Sequence, residues 1–109
     1  MLTTQQLESE LGYTAVYSPY CDREVAAGFT SDLLSDIMGS CPENSVLVTI
    51  QAHTNTVAVA TLVETAAIII CSNRPIPDEM AAAARDEDIA LFVTEKNQFQ
   101  VSCEVGSRL

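Results

Sequence analysis

The sequence predicts an α/β domain in which helices cover both faces of a mainly parallel sheet of four to five strands. Strand-like and helix-like segments alternate along the chain, which is typical of βαβ units joined by right-handed crossovers. Ser45–Ile50 is rich in β-forming residues, and Ala66–Cys71 contains three consecutive isoleucines, as expected for strands buried on both faces. No linker or repeat interrupts the 109 residues, so we predict one domain over residues 1–109.

The N-terminal segment predicts a helix followed by a short strand. Thr3–Gln6 has the capping-box pattern, in which the threonine caps the helix and the glutamine reaches back to it. Leu7 and Leu11 then share one helix face, and Gly12 suits the end of the helix. With a strand at Thr14–Tyr17, residues 1–22 form the N-terminal helix and first strand.

The next segment predicts a helix, but the secondary structure of the residues before that helix is ambiguous. Asp22–Phe29 fits a short strand leading into a turn. Thr30 or Ser31 can cap a helix whose apolar residues recur four apart, with Asp32 in the first turn, where the helix dipole favours a carboxylate. Gly39 is expected to end this helix.

Two further helices and one strand complete the alternating pattern. Asn55–Glu64, capped by Thr54 or Asn55, is apolar nearly all round, which predicts a helix covered on both sides. Pro77 suits the first turn of a helix that continues through Ala81–Ala84. Ile89–Val93 predicts another short strand.

The last segment gives conflicting signals. Apolar residues at Phe99, Val101, Cys103 and Val105 alternate with polar ones, which favours a strand. A cap at Thr94 and the four-residue spacing of Phe99 and Cys103 favour a helix. The pattern alone slightly favours the strand.

Charge narrows the classes of function. Fifteen acidic residues against five basic ones give a net charge of −10, which repels phosphate backbones and anionic lipids. Nucleic-acid binding and membrane-surface binding are therefore not expected. The longest apolar run, Thr65–Cys71, is far shorter than the ~20 residues of a membrane span. The first residues show no signal-peptide pattern, so a cytoplasmic location is expected.

The four cysteines, at positions 21, 41, 71 and 103, are too far apart to form a local zinc or dithiol motif. Reduced and mostly buried thiols are the favoured interpretation, because a free cysteine behaves as a small hydrophobic residue. A metal cluster assembled from these distant positions remains an alternative without local support.

Ligands of open α/β sheets bind beyond the carboxyl ends of the strands. The loops of interest therefore begin after Tyr17, Ile50, Cys71 and Val93. Two of these loops supply the candidate ligand-binding residues, which are Gln51, His53, Thr54, Asn55, Ser72, Asn73 and Arg74.

Each candidate also has a structural interpretation. His53 is either a titratable ligand contact or a loop histidine bonded to a carbonyl group, and metal binding by a lone histidine is disfavoured. Thr54 and Asn55 are either helix caps or part of an anion site at a helix N-terminus. Arg74 is either a pocket cation or a solvated loop charge. Asp32 and Asp36 are interpreted as cap and surface rather than an acid/base pair.

No catalytic motif is present. The sequence lacks a phosphate-binding loop, a dinucleotide-binding glycine pattern and a nucleophile elbow. An enzyme is therefore not expected, and neither is a cofactor.

Three segments together resemble the DRTGG domain family. They are GFTSDLLSDIMG (Gly28–Gly39), VLVTIQAHTNTVAVATL (Val46–Leu62) and AAIIICSNRPIP (Ala66–Pro77). The similarity extends over residues 24–109, and the chain most resembles the stand-alone DRTGG proteins related to HPr kinase.

The resemblance implies a parallel α/β domain like the N-terminal domain of HPr kinase/phosphorylase, a tendency to form homodimers and a helix from Asn97 onward. It also implies a regulatory role, and a hydrogenase-associated redox setting by analogy. The chain departs from the family signature, because Ala52–Thr54 and Cys71–Asn73 replace its Gly-Asp-Arg and Thr-Gly-Gly stretches.

These observations predict a non-catalytic regulatory module that binds a nucleotide or another small anion and acts as a homodimer. The first alternative is a protein–protein adaptor or an accessory protein of a redox enzyme. A metal or iron–sulfur carrier that uses the cysteines is a third hypothesis.

Overall fold

The computed structural model describes residues 1–109 as seven strands and five helices. The strands are β1 (Leu2–Thr3), β2 (Thr14–Ala15), β3 (Glu24–Val25), β4 (Ala27–Thr30), β5 (Ser45–Thr49), β6 (Ala67–Ile70) and β7 (Ala90–Val93). The helices are α1 (Thr4–Ser9), α2 (Leu34–Ser40), α3 (Thr54–Leu62), α4 (Asp78–Asp86) and α5 (Gln98–Gly106).

Five strands form one sheet in the order β2-β7-β6-β5-β4. Strands β4 to β7 are parallel and follow their order in the chain, while β2 pairs antiparallel with β7. Strands β1 and β3 form a separate antiparallel pair. The predicted mainly parallel sheet is confirmed. Its four parallel strands end together at what we call the carboxyl end of the sheet and begin together at its amino end.

Helices cover both faces of the sheet, as predicted. On one face, α2, α3 and α4 bury residues such as Ile37, Val57 and Met80 against Leu47 and Ile68. This arrangement places all three crossover helices in one layer. Each fully buried Leu, Ile or Met contributes about 1.5 to 3 kcal/mol of hydrophobic stabilisation.

The opposite face is covered by α1 and α5. Leu7 from α1 and Val101 and Val105 from α5 pack on Ile69 and Phe92 of the sheet. Two capping boxes fix the starts of these helices, one at Thr3 with Gln6 and one at Asn97 with Gln100. The first of these caps was predicted from the sequence.

Several predictions about α2 and α3 are wrong. Helix α2 begins at Leu34, and its N-cap residue, Leu33, makes no side-chain cap. Neither Thr30 nor Ser31 is therefore the cap. Asp32 lies before the helix and not in its first turn. The Asp32 carboxylate instead accepts hydrogen bonds from other elements. Gly39 lies within α2 rather than at its end.

Helix α3 is not covered on both sides. Its inner residues are buried, but Ala58 is exposed and Leu62 is 66% exposed, since the layer formed by α2, α3 and α4 has nothing outside it. Its cap is His53, whose Nδ1 accepts from the amide of Asn55, and not Thr54 or Asn55.

The conflict over the last segment is resolved in favour of the helix that the family resemblance implied. Helix α5 buries Val101 and Val105, four residues apart, while Phe99 and Cys103 lie on its exposed side. The apparent alternation arises because apolar residues occupy both sides of this helix.

All four cysteines are free, and only Cys71 is buried. The prediction of mostly buried thiols is therefore wrong, since Cys21 and Cys103 are exposed. Each of the five helices is too short, or not apolar enough, to cross a membrane.

Candidate functional site

Four loops meet at the carboxyl end of the sheet, one after each parallel strand. Three of them were predicted, namely those after β5, β6 and β7. The loop after Tyr17 does not belong to this set, because β2 runs antiparallel and its chain continues toward the amino end. The fourth loop is Ser31–Leu33, after β4, which the sequence analysis assigned to a helix cap.

Asp32 is the most heavily hydrogen-bonded side chain of this region. Its Oδ1 accepts from the Thr49 hydroxyl, the Ile50 amide and the Gln98 side-chain amide, each at 2.9 Å. The carboxylate therefore joins the loop after β4, the end of β5 and the start of α5. Asp32 lies two residues after β4, where its sequence position fits a helix cap equally well, so the sequence alone carried no signal for this role.

The loop after β5 carries four predicted site residues: Gln51, His53, Thr54 and Asn55. His53 caps α3 through a 3.0 Å bond from the Asn55 amide to its Nδ1. This contact requires Nδ1 to be unprotonated. The Gln51 carbonyl accepts from the Thr56 hydroxyl at 2.8 Å, which holds the loop against the first turn of the helix. The Gln51, His53 and Asn55 side chains are exposed, and Thr54 is half-buried.

The loop after β6 carries the other three predicted residues. Ser72 and Asn73 both have left-handed backbone conformations, with φ of 62° and 53°. Their amides donate to the carbonyl groups of Lys96 and Thr94, at 2.8 and 2.9 Å, so this loop is tied to the loop after β7. Arg74 follows them with an exposed side chain. His53 and Arg74 thus follow adjacent parallel strands at the same end of the molecule.

One cavity of about 350 Å³ opens between β2 and the loops after β6 and β7. It is lined by Gly12, Thr14, Asn73, Val93, Thr94, Glu95 and Lys96. Among the predicted site residues only Asn73 lines it. The structure therefore brings Asn73 together with Thr94 and Lys96, and leaves the loop after β5 and Arg74 outside this cavity.

Lys96, which lines this cavity, belongs to a three-residue network with Tyr13 and Glu104. Lys96 Nζ and the Tyr13 hydroxyl both donate to Glu104, at 2.6 and 2.5 Å, and Lys96 also lies 5.9 Å from the Tyr13 ring centre. Burial of Glu104 opposes its ionisation, but the hydrogen bonds from Lys96 and Tyr13 and the Lys96 charge outweigh this effect. The pKa of Glu104 is lowered as a result. Burial and the bond to Glu104 raise the pKa of Tyr13.

The cysteines differ in exposure, and they form no metal-ligating cluster. Cys71 is fully buried beneath the loop after β6, and burial together with the Asp32 charge raises its pKa to about 11, so its thiol is protonated at neutral pH. No three potential metal-ligating side chains come together anywhere in the chain.

A second cavity, of about 300 Å³, lies at the amino end of the sheet. Its polar lining includes three glutamates, Glu43, Glu64 and Glu87, and a single cation, Arg23. A smaller cavity of about 240 Å³ lies beside α1 and Tyr20. Neither contains a predicted site residue.

Comparison with known proteins adds no family assignment. No family model matches the chain, and no curated protein matches it. The similarity to the DRTGG family therefore stays a prediction from the sequence.

Proposed function

We propose that this chain is a non-catalytic regulatory module of the cytoplasm that binds a nucleotide or another small anion at the carboxyl end of its sheet and acts as a homodimer. The observation that carries the proposal is the convergence of the polar loops after β5, β6 and β7 at that end. Open parallel sheets bind ligands in this position because helix N-termini and free loop amides face it.

The distribution of positive charge supports an anionic ligand. The chain has only five basic residues, and two of them, Arg74 and Lys96, follow adjacent strands at this end of the sheet. Arg74 is unpaired and Lys96 is paired with Glu104, so these two side chains supply the positive charge that an anion meets at this end. The nearby carboxylates of Asp32 and Glu104 are each engaged by hydrogen-bond donors, which offsets part of their charge, whereas Glu95 in the cavity lining is exposed to solvent.

The cavity beside Asn73 suits a small polar group. Its volume of about 350 Å³ is near the lower limit of ligand pockets, and its side chains offer hydroxyl, amide and ammonium donors. A phosphate or diphosphate group fits these donors, with the remainder of a nucleotide extending over the exposed loop of Gln51 and His53. We therefore expect phosphate-bearing ligands to bind more tightly than their nucleosides.

Thermal unfolding and calorimetry with ATP, ADP and adenosine test the proposal. Binding at one hundred times the dissociation constant stabilises a protein by about 2.7 kcal/mol, which raises the unfolding temperature measurably. We expect a shift with ATP or ADP and little with adenosine. The absence of any shift at millimolar nucleotide contradicts the proposal.

A matched pair of variants locates the ligand. Arg74→Gln and Arg85→Gln each remove one exposed positive charge, but Arg85 lies on α4 near Tyr17, away from the loops after β5 to β7. Loss of affinity in Arg74→Gln alone supports binding at the carboxyl end. Equal losses in both variants indicate a non-specific charge effect and count against this site.

A protein–protein adaptor, for instance an accessory protein of a redox enzyme, is the second candidate. It is favoured by large apolar side chains that remain exposed, among them Leu33, Met38, Leu62 and Phe99. A chain that binds no phosphate compound but forms a stable complex with an oxidoreductase supports this alternative over the first.

A further inference from the structure

Strand β4 leaves one side of the five-stranded sheet without a neighbour. Its other side pairs with β5, where Thr30 is opposite Val48 and the Ser31 amide donates to the Val48 carbonyl at 3.2 Å. Backbone groups of successive residues point to alternate sides of a strand. The amides of Gly28 and Thr30 therefore point away from β5, toward the open edge.

The two edge strands of the sheet differ in how well they are protected against pairing with another chain. The opposite edge strand, β2, has only two residues, and a very short edge strand is one way in which proteins prevent unwanted pairing. Strand β4 has four residues, Ala-Gly-Phe-Thr, with no charge, no proline and no lysine facing outward. The open edge is thus free to pair with another strand.

Apolar side chains lie near this open edge. Leu33 and Phe99 are 64% and 78% exposed. Leu33 follows Asp32 and Phe99 follows Gln98, and these two side chains are joined by a 2.9 Å hydrogen bond between Asp32 and Gln98. Both apolar side chains therefore lie near the carboxyl end of β4. Leu109 is 52% exposed, and its Cδ1 lies 3.8 Å from the Cβ position of Gly28. Pairing at β4 would remove these side chains from water.

Charge indicates what kind of partner fits. Two copies of a chain of net charge −10 repel each other, so a contact between copies requires a surface without carboxylates. Residues 25–31, around β4, and residues 97–103, in the first part of α5, contain no charged side chain. The open edge is therefore a neutral surface on a strongly acidic molecule.

We infer that β4 pairs antiparallel with β4 of a second copy, across a two-fold axis, to form one continuous sheet. A two-fold contact is self-complementary, and identical edges can meet in it only antiparallel. Outward amides and carbonyls of Gly28 and Thr30 then bond across the axis, and Leu33, Phe99 and Leu109 pack beside it. This inference rests on the dimeric part of the proposed function and assigns it a surface.

Sedimentation analysis of a matched pair of variants tests the assignment. Leu33→Glu adds a carboxylate beside the open edge. The control, Leu62→Glu, adds one at a leucine of similar exposure, 66%, which lies at the end of α3, one helix further from β4. We expect a wild-type dimer, a rise of at least about tenfold in the dissociation constant for L33E, and no comparable change for L62E.

Residue-resolved hydrogen exchange supplies the second measurement. The amides of Gly28 and Thr30 are expected to exchange more slowly as wild-type concentration rises through the dimerisation range, and to stay fast in monomeric L33E. A monomeric wild-type chain overturns both this inference and the dimeric part of the proposed function. A dimer that L33E leaves intact, or in which these two amides exchange fast, overturns only the assignment to β4.

Discussion

The two ends of the sheet carry cavities of similar size but different charge. At the carboxyl end, the cavity of about 350 Å³ is lined by hydroxyl and amide groups with one lysine and one glutamate. At the amino end, the cavity of about 300 Å³ is lined by three glutamates and one arginine. Volume therefore does not distinguish the two ends, whereas charge and the hydrogen bonding of the carboxylates do.

The carboxylates at the two ends also have different structural roles. Asp32 accepts three hydrogen bonds, two from the end of β5 and one from the start of α5. The carboxylates of Glu43, Glu64 and Glu87 accept none within the chain. Asp32 is therefore built into the fold, whereas the three glutamates at the amino end, like Glu95 at the carboxyl end, are exposed charges. The following substitutions test this difference.

Asp32→Ala is expected to have the largest effect. It leaves three part-buried donors, the Thr49 hydroxyl, the Ile50 amide and the Gln98 side-chain amide, without this acceptor, at a cost of about 2 to 3 kcal/mol in the free energy of unfolding. Glu43→Ala at the amino end is expected to change it by less than about 0.5 kcal/mol. Urea denaturation measures both, and equal losses would remove the distinction between the two ends.

Gly12 and Gly39 are expected to respond in opposite directions. Gly12 borders the carboxyl-end cavity with φ of 81°, so Gly12→Ala imposes a left-handed alanine at a cost of about 1 to 2 kcal/mol. Gly39 lies in α2, and no atom outside its own helical backbone is within 4 Å of its Cβ position, so Gly39→Ala is expected to stabilise the chain by about 0.5 kcal/mol. Thermal unfolding of the pair gives the sign of each change.

His53→Ala tests whether the histidine is required as a helix cap. Loss of the bond from the Asn55 amide is expected to destabilise the chain by about 1 kcal/mol. His53→Asn supplies another side-chain acceptor and is expected to retain most of the stability. If the two variants unfold alike in urea, His53 does not act through capping.

Glu104 gives the smallest effect, and it depends on pH. Its folded-state pKa is lowered, so its contribution is present above the ordinary glutamate pKa of about 4.3 and is lost as pH falls through the lower folded value. Because the side chain is a third exposed, we expect less than about 1 kcal/mol. Stability measured from pH 6 to pH 3 should fall less steeply in Glu104→Gln than in the wild type.

The core of the fold was predictable because its signals are local. Ile68–Ile70 lack alternation, which indicated a strand covered on both faces, and the Thr3–Gln6 pattern marked the first helix start correctly. The pattern of the last segment misled because Phe99 and Cys103 are apolar residues on the exposed side of α5. Exposure of this kind depends on tertiary structure and leaves no trace in a single sequence.

The candidate site was only partly predictable. The loops after β5 and β6 were identified because both strands are strongly apolar and followed by polar residues. The loop after β4 was missed because Asp32 is equally suited to a helix N-terminus, and only the partners Thr49 and Gln98 reveal its position. The antiparallel direction of β2, which moves its loop to the other end, is likewise a long-range property.

The order of the sheet has a consequence for how the chain assembles. Each of the parallel strands β4, β5 and β6 pairs with the parallel strand that follows it in the chain. Every such pairing closes only a short stretch of chain, so the sheet can grow by one strand and its crossover helix at a time. Only β2 reaches β7 from the opposite end of the sequence. The N-terminal segment, and with it one wall of the carboxyl-end cavity, is therefore the part whose docking has the highest entropic barrier.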